Sequence, residues 1–174
     1  MMLKPDPLTQ ISHLYHFTDI RNIPLIRSSG GILPLTALNA NGINIPAPGG
    51  NEWSHEADKR CGLDQYVHLC FRSQHPMEYQ ARQDGRIENT IFLQISNDVL
   101  KIPGVLFSPD VSNKSGVSCF TLEQARGLID FEVLYTHTNW HDPAIRARLR
   151  AVEKCEILVP ATIPLSMIKN MPNG

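Results

Sequence analysis

The stretch KCEILVP, residues 154–160, places one carboxylate directly before a run of three branched apolar residues. This run predicts a short buried strand, because branched aliphatic side chains fit a packed, pleated surface. Glu156 stands at the mouth of that strand. Burying an unpaired charge is costly, so Glu156 needs a partner, a solvent opening or a chemical role. An ion pair with Arg148 or Arg150, from the segment just before it, would supply the partner.

The composition limits the class of protein. A chain of 174 residues with 42% hydrophobic and 19% charged residues is typical of one folded domain, so residues 1–174 are expected to form a single domain. The net charge of -1 argues against bulk coating of nucleic acid and leaves room for a local basic groove. No apolar run approaches the ~18 residues of a membrane span, and MMLKPDPLTQ lacks the apolar core of a signal peptide. These features predict a cytoplasmic protein, and the widely spaced Cys61, Cys70, Cys119 and Cys155 predict reduced thiols.

The order of predicted elements indicates the fold class. Strands and short helices follow one another without a regular βαβ alternation, which predicts an α+β domain with a largely antiparallel sheet. The segment 36–52 is rich in Asn, Gly and Pro and is expected to be a long loop. Strands are predicted over 13–17, 66–71, 90–96, 104–109 and 157–159, and helices over 18–31, 76–82, 121–129, 142–154 and 163–170. Pro24 requires the helix within 18–31 to start late or to be bent.

The spacing of residues bears on three other kinds of site: a metal site, a catalytic thiol and a phosphate-binding loop. His55, Cys61, His68 and Cys70 lie close in sequence, but they lack the paired spacing of structural zinc ligands, which favours core thiols and surface histidines. Cys119 would form a thiol–imidazole pair with His137 only if the fold brought the two together. No phosphate-binding glycine motif is present, which disfavours ATP-dependent and Rossmann-type enzymes.

Four polar residues fall near the ends of predicted strands: His16, Thr18, Arg60 and Glu156. On spacing alone, a core histidine explains His16 and a surface charge explains Arg60 better than a binding role does. The residues by themselves therefore name no reaction.

Taken in order, however, the segments resemble the DarT family of DNA ADP-ribosyltransferase toxins. The similarity runs from about His16 to Pro160, and the ordered set is more specific than any one piece. The family's usual YVPFYF is replaced here by YVHLCF. The matching segments are HFTDIRNIPLIRSSGGI, LDQYVHLCFRSQHPMEY, NTIFLQIS, CFTLEQA, NW before a basic helix, and KCEILVP.

The resemblance implies an ADP-ribosyltransferase-like fold, with a split, largely antiparallel sheet and short helices around an NAD cleft. It implies transfer of ADP-ribose from NAD, as co-substrate, to a base in single-stranded DNA, with no metal. It also implies a toxin of a toxin–antitoxin system whose partner is a macrodomain antitoxin.

Site residues follow from the same resemblance. His16 and Thr18 are expected to hold the ribose and nicotinamide end of NAD, and Asn22 matches a further NAD-contacting asparagine. Arg60 matches the family's catalytic arginine, and Glu156 matches its catalytic glutamate. A carboxylate suits this role, because cleavage of the nicotinamide–ribose bond builds positive charge on the sugar.

The acceptor and the alternatives stay open at this point. Arg146, Arg148 and Arg150 would track a nucleic-acid backbone, or form the exposed face of a helix. The competing functions are a non-catalytic module of the same fold that binds NAD or nucleic acid, and an ADP-ribosyltransferase acting on protein or RNA.

Overall fold

The computed structural model describes residues 3–48, 52–136 and 138–173, and for residues 52–55 it describes the backbone alone. Its strands are β1 (His13–Asp19), β2 (Gly31–Ile32), β3 (Val67–Leu69), β4 (Thr90–Ser96), β5 (Leu106–Ser108), β6 (Phe120–Thr121), β7 (Glu156–Val159) and β8 (Ile163–Pro164). Its α-helices are α1 (Ile23–Ser28), α2 (Leu35–Ala40), α3 (Glu52–Cys61), α4 (Pro76–Gln83), α5 (Leu122–Ala125), α6 (Phe131–Tyr135) and α7 (Pro143–Glu153). Single 3-10 turns cover Pro7–Gln10, Ile20–Asn22, Asn97–Lys101 and Leu165–Met167.

The strands form a split antiparallel arrangement, which confirms the predicted fold class. β1 pairs with β4, β2 pairs with β8, and the third sheet has the order β3-β7-β5-β6. The first and third sheets meet where Tyr15 of β1 and Cys70, just after β3, exchange two main-chain hydrogen bonds of 2.8 Å. This junction places the middle of β1 beside the end of β3.

The strand β7 lies in the interior of the third sheet, between β3 and β5. All four of its residues are buried, which explains why the sequence reads as a continuous apolar run rather than an alternating one. Side chains alternate along a strand, so Glu156 and Leu158 share one face while Ile157 and Val159 share the other. Leu158 is opposite His68 of β3, which makes His68 a diagonal neighbour of Glu156.

Two helix starts follow the capping pattern of the sequence. Asp142 accepts a hydrogen bond of 2.8 Å from the backbone N–H of Ala144, and Pro143 occupies the first turn of α7. The helix α4 also begins with a proline, and His75 serves as its cap by accepting from the N–H of Met77. This cap directs a histidine, rather than a serine or aspartate, into the interior.

Two predicted segments differ from the structure. The loop prediction over 36–52 is wrong in part, because α2 covers residues up to Ala40 and α3 begins at Glu52, while residues 49–51 lie outside the described residues. The helix predicted within 18–31 begins at Ile23, after a 3-10 turn, which confirms the late start predicted from Pro24.

The helix predicted over 163–170 is likewise replaced by β8 and a 3-10 turn. The cause is long-range pairing: β8 lies so close to β2 that a Cβ at Gly31 would approach the carbonyl oxygen of Ile163 to 2.1 Å. Gly31 also adopts a φ of +155°, which side chains disfavour. Local helical propensity at residues 163–170 is therefore overridden by a partner more than a hundred residues upstream.

Candidate active site

A cleft of about 240 Å³ opens beside β1, β3 and the start of β7. Its walls are mainly apolar, with a small number of polar side chains from distant parts of the chain. Such a composition is typical of small-molecule sites. The polar side chains that matter below are His16, Thr18, Asn22, His68, His75, Ser112 and Glu156, and all seven line the cleft.

His16 projects from the middle of β1 and has a defined protonation state. Its Nδ1 donates to the main-chain carbonyl oxygen of His68 at 3.2 Å, because a carbonyl can only accept. Burial lowers the pKa of His16 to about 4, so the ring is neutral at physiological pH. A neutral ring with its proton on Nδ1 keeps the Nε2 lone pair as a hydrogen-bond acceptor.

Asn22 lies in the cleft wall, but its amide is already used by the protein. Its Nδ2 donates to Thr18 Oγ1 at 2.9 Å and to the carbonyl oxygen of Ala47 at 2.6 Å. Its Oδ1 accepts from the N–H of Ala47 at 2.8 Å. Asn22 therefore fastens the segment around Ala47 to the end of β1, and Thr18 is the second anchor of this clamp.

Glu156 is 6% exposed and has partners on both carboxylate oxygens. Oε1 lies 3.2 Å from Nδ1 of His68, and Oε2 accepts from the backbone N–H of Ser112 at 2.5 Å. Burial opposes its charge, but the hydrogen bond and the charge of His68 outweigh burial and lower the pKa of Glu156. The carboxylate at the mouth of β7 thus has both a partner and an opening onto the cleft.

The alternative explanation of Glu156, an ion pair with the preceding helix, does not hold. Arg148 instead makes two hydrogen bonds of 2.7 Å to Asp130 and one of 3.1 Å to Glu132. Arg146 and Arg150 are exposed on α7, and none of these three arginines lines the cleft. Of the two alternatives for Arg148, a nucleic-acid contact or part of a helix face, the helix face fits better, because its guanidinium already binds carboxylates of the protein.

His75 was not singled out by the sequence and is 5% exposed. Its Nδ1 accepts from the N–H of Met77, so its proton resides on Nε2. That Nε2–H has no partner within the part of the chain that the structure describes. Burial lowers the pKa of His75, which keeps the ring neutral. The sequence did contain a signal for His75: it directly precedes Pro76 at the start of a predicted helix, and that position is the helix cap.

Arg60 lies outside the cleft. It is exposed near the end of α3, whereas Asp58 of the same helix lines the cleft. Residues two apart on an α-helix point to different sides, so only one of this pair can face the cavity. Among the described residues that line the cleft, none is an arginine or lysine. A catalytic role for Arg60 stays a prediction.

The metal and thiol alternatives gain no support. Cys61 is exposed and Cys70 buried, and all four thiols are free. The side chain of His55, and His137 as a whole, lie outside the described residues. Among the residues that the structure does describe, no group of three or more His, Cys, Asp or Glu side chains is placed to hold a metal ion.

Within the described part of the chain, every helix is too short or too polar to cross a bilayer.

Comparison with known families decides the class. A family model described as "ssDNA thymidine ADP-ribosyltransferase, DarT" matches residues 15–172. The chain belongs to the DarT family. This confirms the predicted family, the predicted transferase activity and single-stranded DNA as the acceptor. The family description also names the nucleoside, thymidine, which the sequence reading left open.

Solved structures share the fold of this DarT-family chain. A DarT of Thermus sp. 2.9 in complex with ADP-ribosylated ssDNA is 20% identical, with a TM-score of 0.67 over 91% of this chain and 79% of its own. The same protein in complex with NAD+ is 20% identical, with a TM-score of 0.59 over 96% of this chain and 82% of its own. Thermosipho africanus DarTG in complex with ADP-ribose is 19% identical, with a TM-score of 0.65 over 90% of this chain and 42% of its own. Comparison with curated proteins gave no match.

Proposed function

We propose that this chain, as one domain over residues 1–174, transfers ADP-ribose from NAD to thymine in single-stranded DNA and uses Glu156 as its catalytic carboxylate. One observation carries the proposal. An ionised carboxylate, held on both oxygens, lies in the wall of a cleft that also contains His16. Charge of this sign is what cleavage of a glycosidic bond requires next to the sugar.

The residues present suit one end of an NAD molecule. His16 offers an acceptor in Nε2, and His75 offers an Nε2–H that lacks a partner among the described residues. A buried donor without a partner is unfavourable, so a bound ligand acceptor would stabilise the site. Relatives of the same fold have been solved with NAD+ and with carba-NAD+, at 20% and 23% identity.

Roles can be assigned to the side chains of the chain itself. NAD, when bound, supplies the ADP-ribose, and its nicotinamide is the leaving group. Glu156 lies where its negative charge would stabilise the positive charge that develops on the ribose, and it can accept a hydrogen bond from a ribose hydroxyl. His16 and His75 would orient the ligand, while Thr18 and Asn22 hold the cleft wall around Ala47 in place.

The acceptor base completes the reaction. A ring nitrogen of thymine would form the new bond to the ribose carbon as the bond from that carbon to nicotinamide breaks, and the proton of the ring nitrogen would pass to solvent. Arg146 and Arg150, which are exposed on α7, are candidate contacts to the DNA backbone. Arg60, exposed at the end of α3, is a candidate for the acceptor side of the reaction.

We also propose that the chain is a toxin neutralised by a macrodomain antitoxin. The support is the family membership together with the fold shared with DarTG of Thermosipho africanus, over 42% of that chain.

The test is to incubate the protein with labelled NAD and, separately, with each of five acceptors. These are a thymine-containing single strand of DNA, the same strand with every thymine replaced by cytosine, the duplex of the thymine-containing strand, RNA, and lysate protein. Label is expected in the first alone. Label in protein or RNA would favour the competing transferase. Binding of NAD and DNA with no label anywhere would favour the non-catalytic module.

A further inference from the structure

His68 sits between two hydrogen-bond acceptors, one on each ring nitrogen. Nε2 lies 3.2 Å from the main-chain carbonyl oxygen of Leu63, and Nδ1 lies 3.2 Å from Oε1 of Glu156. A carbonyl and an ionised carboxylate can only accept, so both ring nitrogens must donate. The histidine that satisfies both contacts is the doubly protonated imidazolium.

The surroundings of His68 indicate which group its positive charge stabilises. Glu156 is buried and lines the cleft, where the described residues include no arginine or lysine. His68, about a quarter exposed, is the positive group in direct contact with that carboxylate. Ser112 completes the arrangement, since its N–H binds Oε2 of Glu156 and its Oγ lies 3.1 Å from Nδ1 of His68.

We propose that His68 is the positioning residue of Glu156: its imidazolium fixes the carboxylate in one orientation and keeps it ionised toward the cleft. This inference rests on the proposed role of Glu156 in the transfer reaction. The two oxygens are held from two separate segments, β3 and the loop that contains Ser112, so the carboxylate needs no reorganisation when charge develops on the substrate. Without His68, burial alone would favour the protonated, uncharged acid.

Other titratable groups around the pair do not replace this role. His75 lies near Glu156 but is neutral, and its pKa is lowered chiefly by burial. Asp58 faces His68 from α3 and reinforces its charge. His16 is neutral, chiefly because of burial, and the charge of His68 further lowers its pKa. Burial, together with the charge of Glu156, raises the pKa of the nearby thiols, so they are neutral too: Cys70, Cys119 and Cys155.

The first test compares two substitutions that separate charge from hydrogen bonding. His68→Gln keeps a donor without charge, and we expect kcat to fall at least about tenfold while the KM for NAD changes less than about threefold. The acidic limb of the kcat profile should move to higher pH by about one unit or more. His68→Lys keeps the charge and should restore the limb to its wild-type position. His13→Gln, on β1 and outside the cleft lining, is the matched control and should change neither quantity.

The second test does not depend on transfer. In ¹⁵N NMR spectra of the histidine rings at pH 7.5, we expect both nitrogens of His68 to be protonated in the wild-type protein. In Glu156→Gln the ring should become neutral. A neutral His68 in the wild type, or a His68→Gln variant with unchanged kcat and acidic limb, would overturn the inference. Wild-type protein with the imidazolium signal but no labelled DNA would overturn the proposed function and leave the ion pair supported.

Discussion

The imidazole of His16 donates a hydrogen bond of 3.2 Å to the main-chain carbonyl oxygen of His68, although the two residues are 52 positions apart. The side chain of that same His68 binds Glu156, 88 positions further along the chain. One residue of β3 therefore connects the histidine of β1 to the carboxylate of β7. This connection brings three separate segments of the sequence to a single cleft.

Replacing Glu156 with glutamine should reduce transfer by roughly two orders of magnitude or more, because it removes a preorganised charge that acts mainly in the transition state. The dissociation constant for NAD should change less than about threefold. Single-turnover transfer and calorimetric binding measure the two quantities. Glu123→Gln, at an exposed position on α5, should leave both unchanged. Near-normal turnover in Glu156→Gln would make this carboxylate structural.

Replacing Asn22 with alanine should release the segment around Ala47 from the end of β1. Three hydrogen bonds disappear, and the buried main-chain groups of Ala47 lose their partners, which costs about 1–3 kcal/mol of unfolding free energy. The KM for NAD should rise with it. Urea unfolding and steady-state kinetics test this. Asn41→Ala removes an exposed side-chain bond on α2 and should cost far less. Unchanged KM and stability would contradict the clamp.

Stability should depend on pH through the pair of His68 and Glu156. Burial opposes the charge of His68, but the hydrogen bond and charge of Glu156 outweigh it and raise the pKa of His68 from 6.5 to about 9. A raised pKa stabilises the fold fully below pH 6.5, and this stabilisation is lost as the pH rises through about 9. The difference in unfolding free energy between wild type and His68→Gln should therefore shrink from pH 6.5 to 10. A difference that is constant over this range would show that the charge contributes nothing.

The arginines of α7 should separate into two groups. Arg148→Ala should lower stability, since Asp130 and Glu132 lose their shared partner. Replacing Arg146 and Arg150 together should leave stability unchanged and weaken binding of single-stranded DNA. If each contacts one phosphate, the slope of log affinity against log salt should fall by about 1.4, at ~0.7 per contact on a single strand. An unchanged slope would place the DNA elsewhere.

Arg60→Ala should reduce transfer to single-stranded DNA by about two orders of magnitude, as its proposed role on the acceptor side requires, although the side chain is exposed and does not line the cleft. Labelled-NAD assays on the purified variant measure this. Lys59→Ala, its exposed neighbour on α3, is the matched control. Transfer within about threefold of wild type in Arg60→Ala would contradict the catalytic role that the family resemblance predicts.

The sequence by itself determined the fold class, the five principal strands, the starts of α4 and α7, and the family. These features depend on local information: apolar periodicity, a proline in the first turn of a helix, and an ordered set of short motifs. Glu156 was recognisable from local information too, because a carboxylate directly before a buried apolar strand is unusual and requires an explanation.

Only the tertiary structure decided what Glu156 contacts. The sequence offered Arg148 or Arg150 as partners, because they are close along the chain, whereas the actual partners come from β3 and from the loop that contains Ser112. His75 and the clamp made by Asn22 were hidden for the same reason. Strand pairing brings together residues that are dozens of positions apart, and hydrogen bonds act over about 3 Å of space, so their partners cannot be read from positions in the sequence.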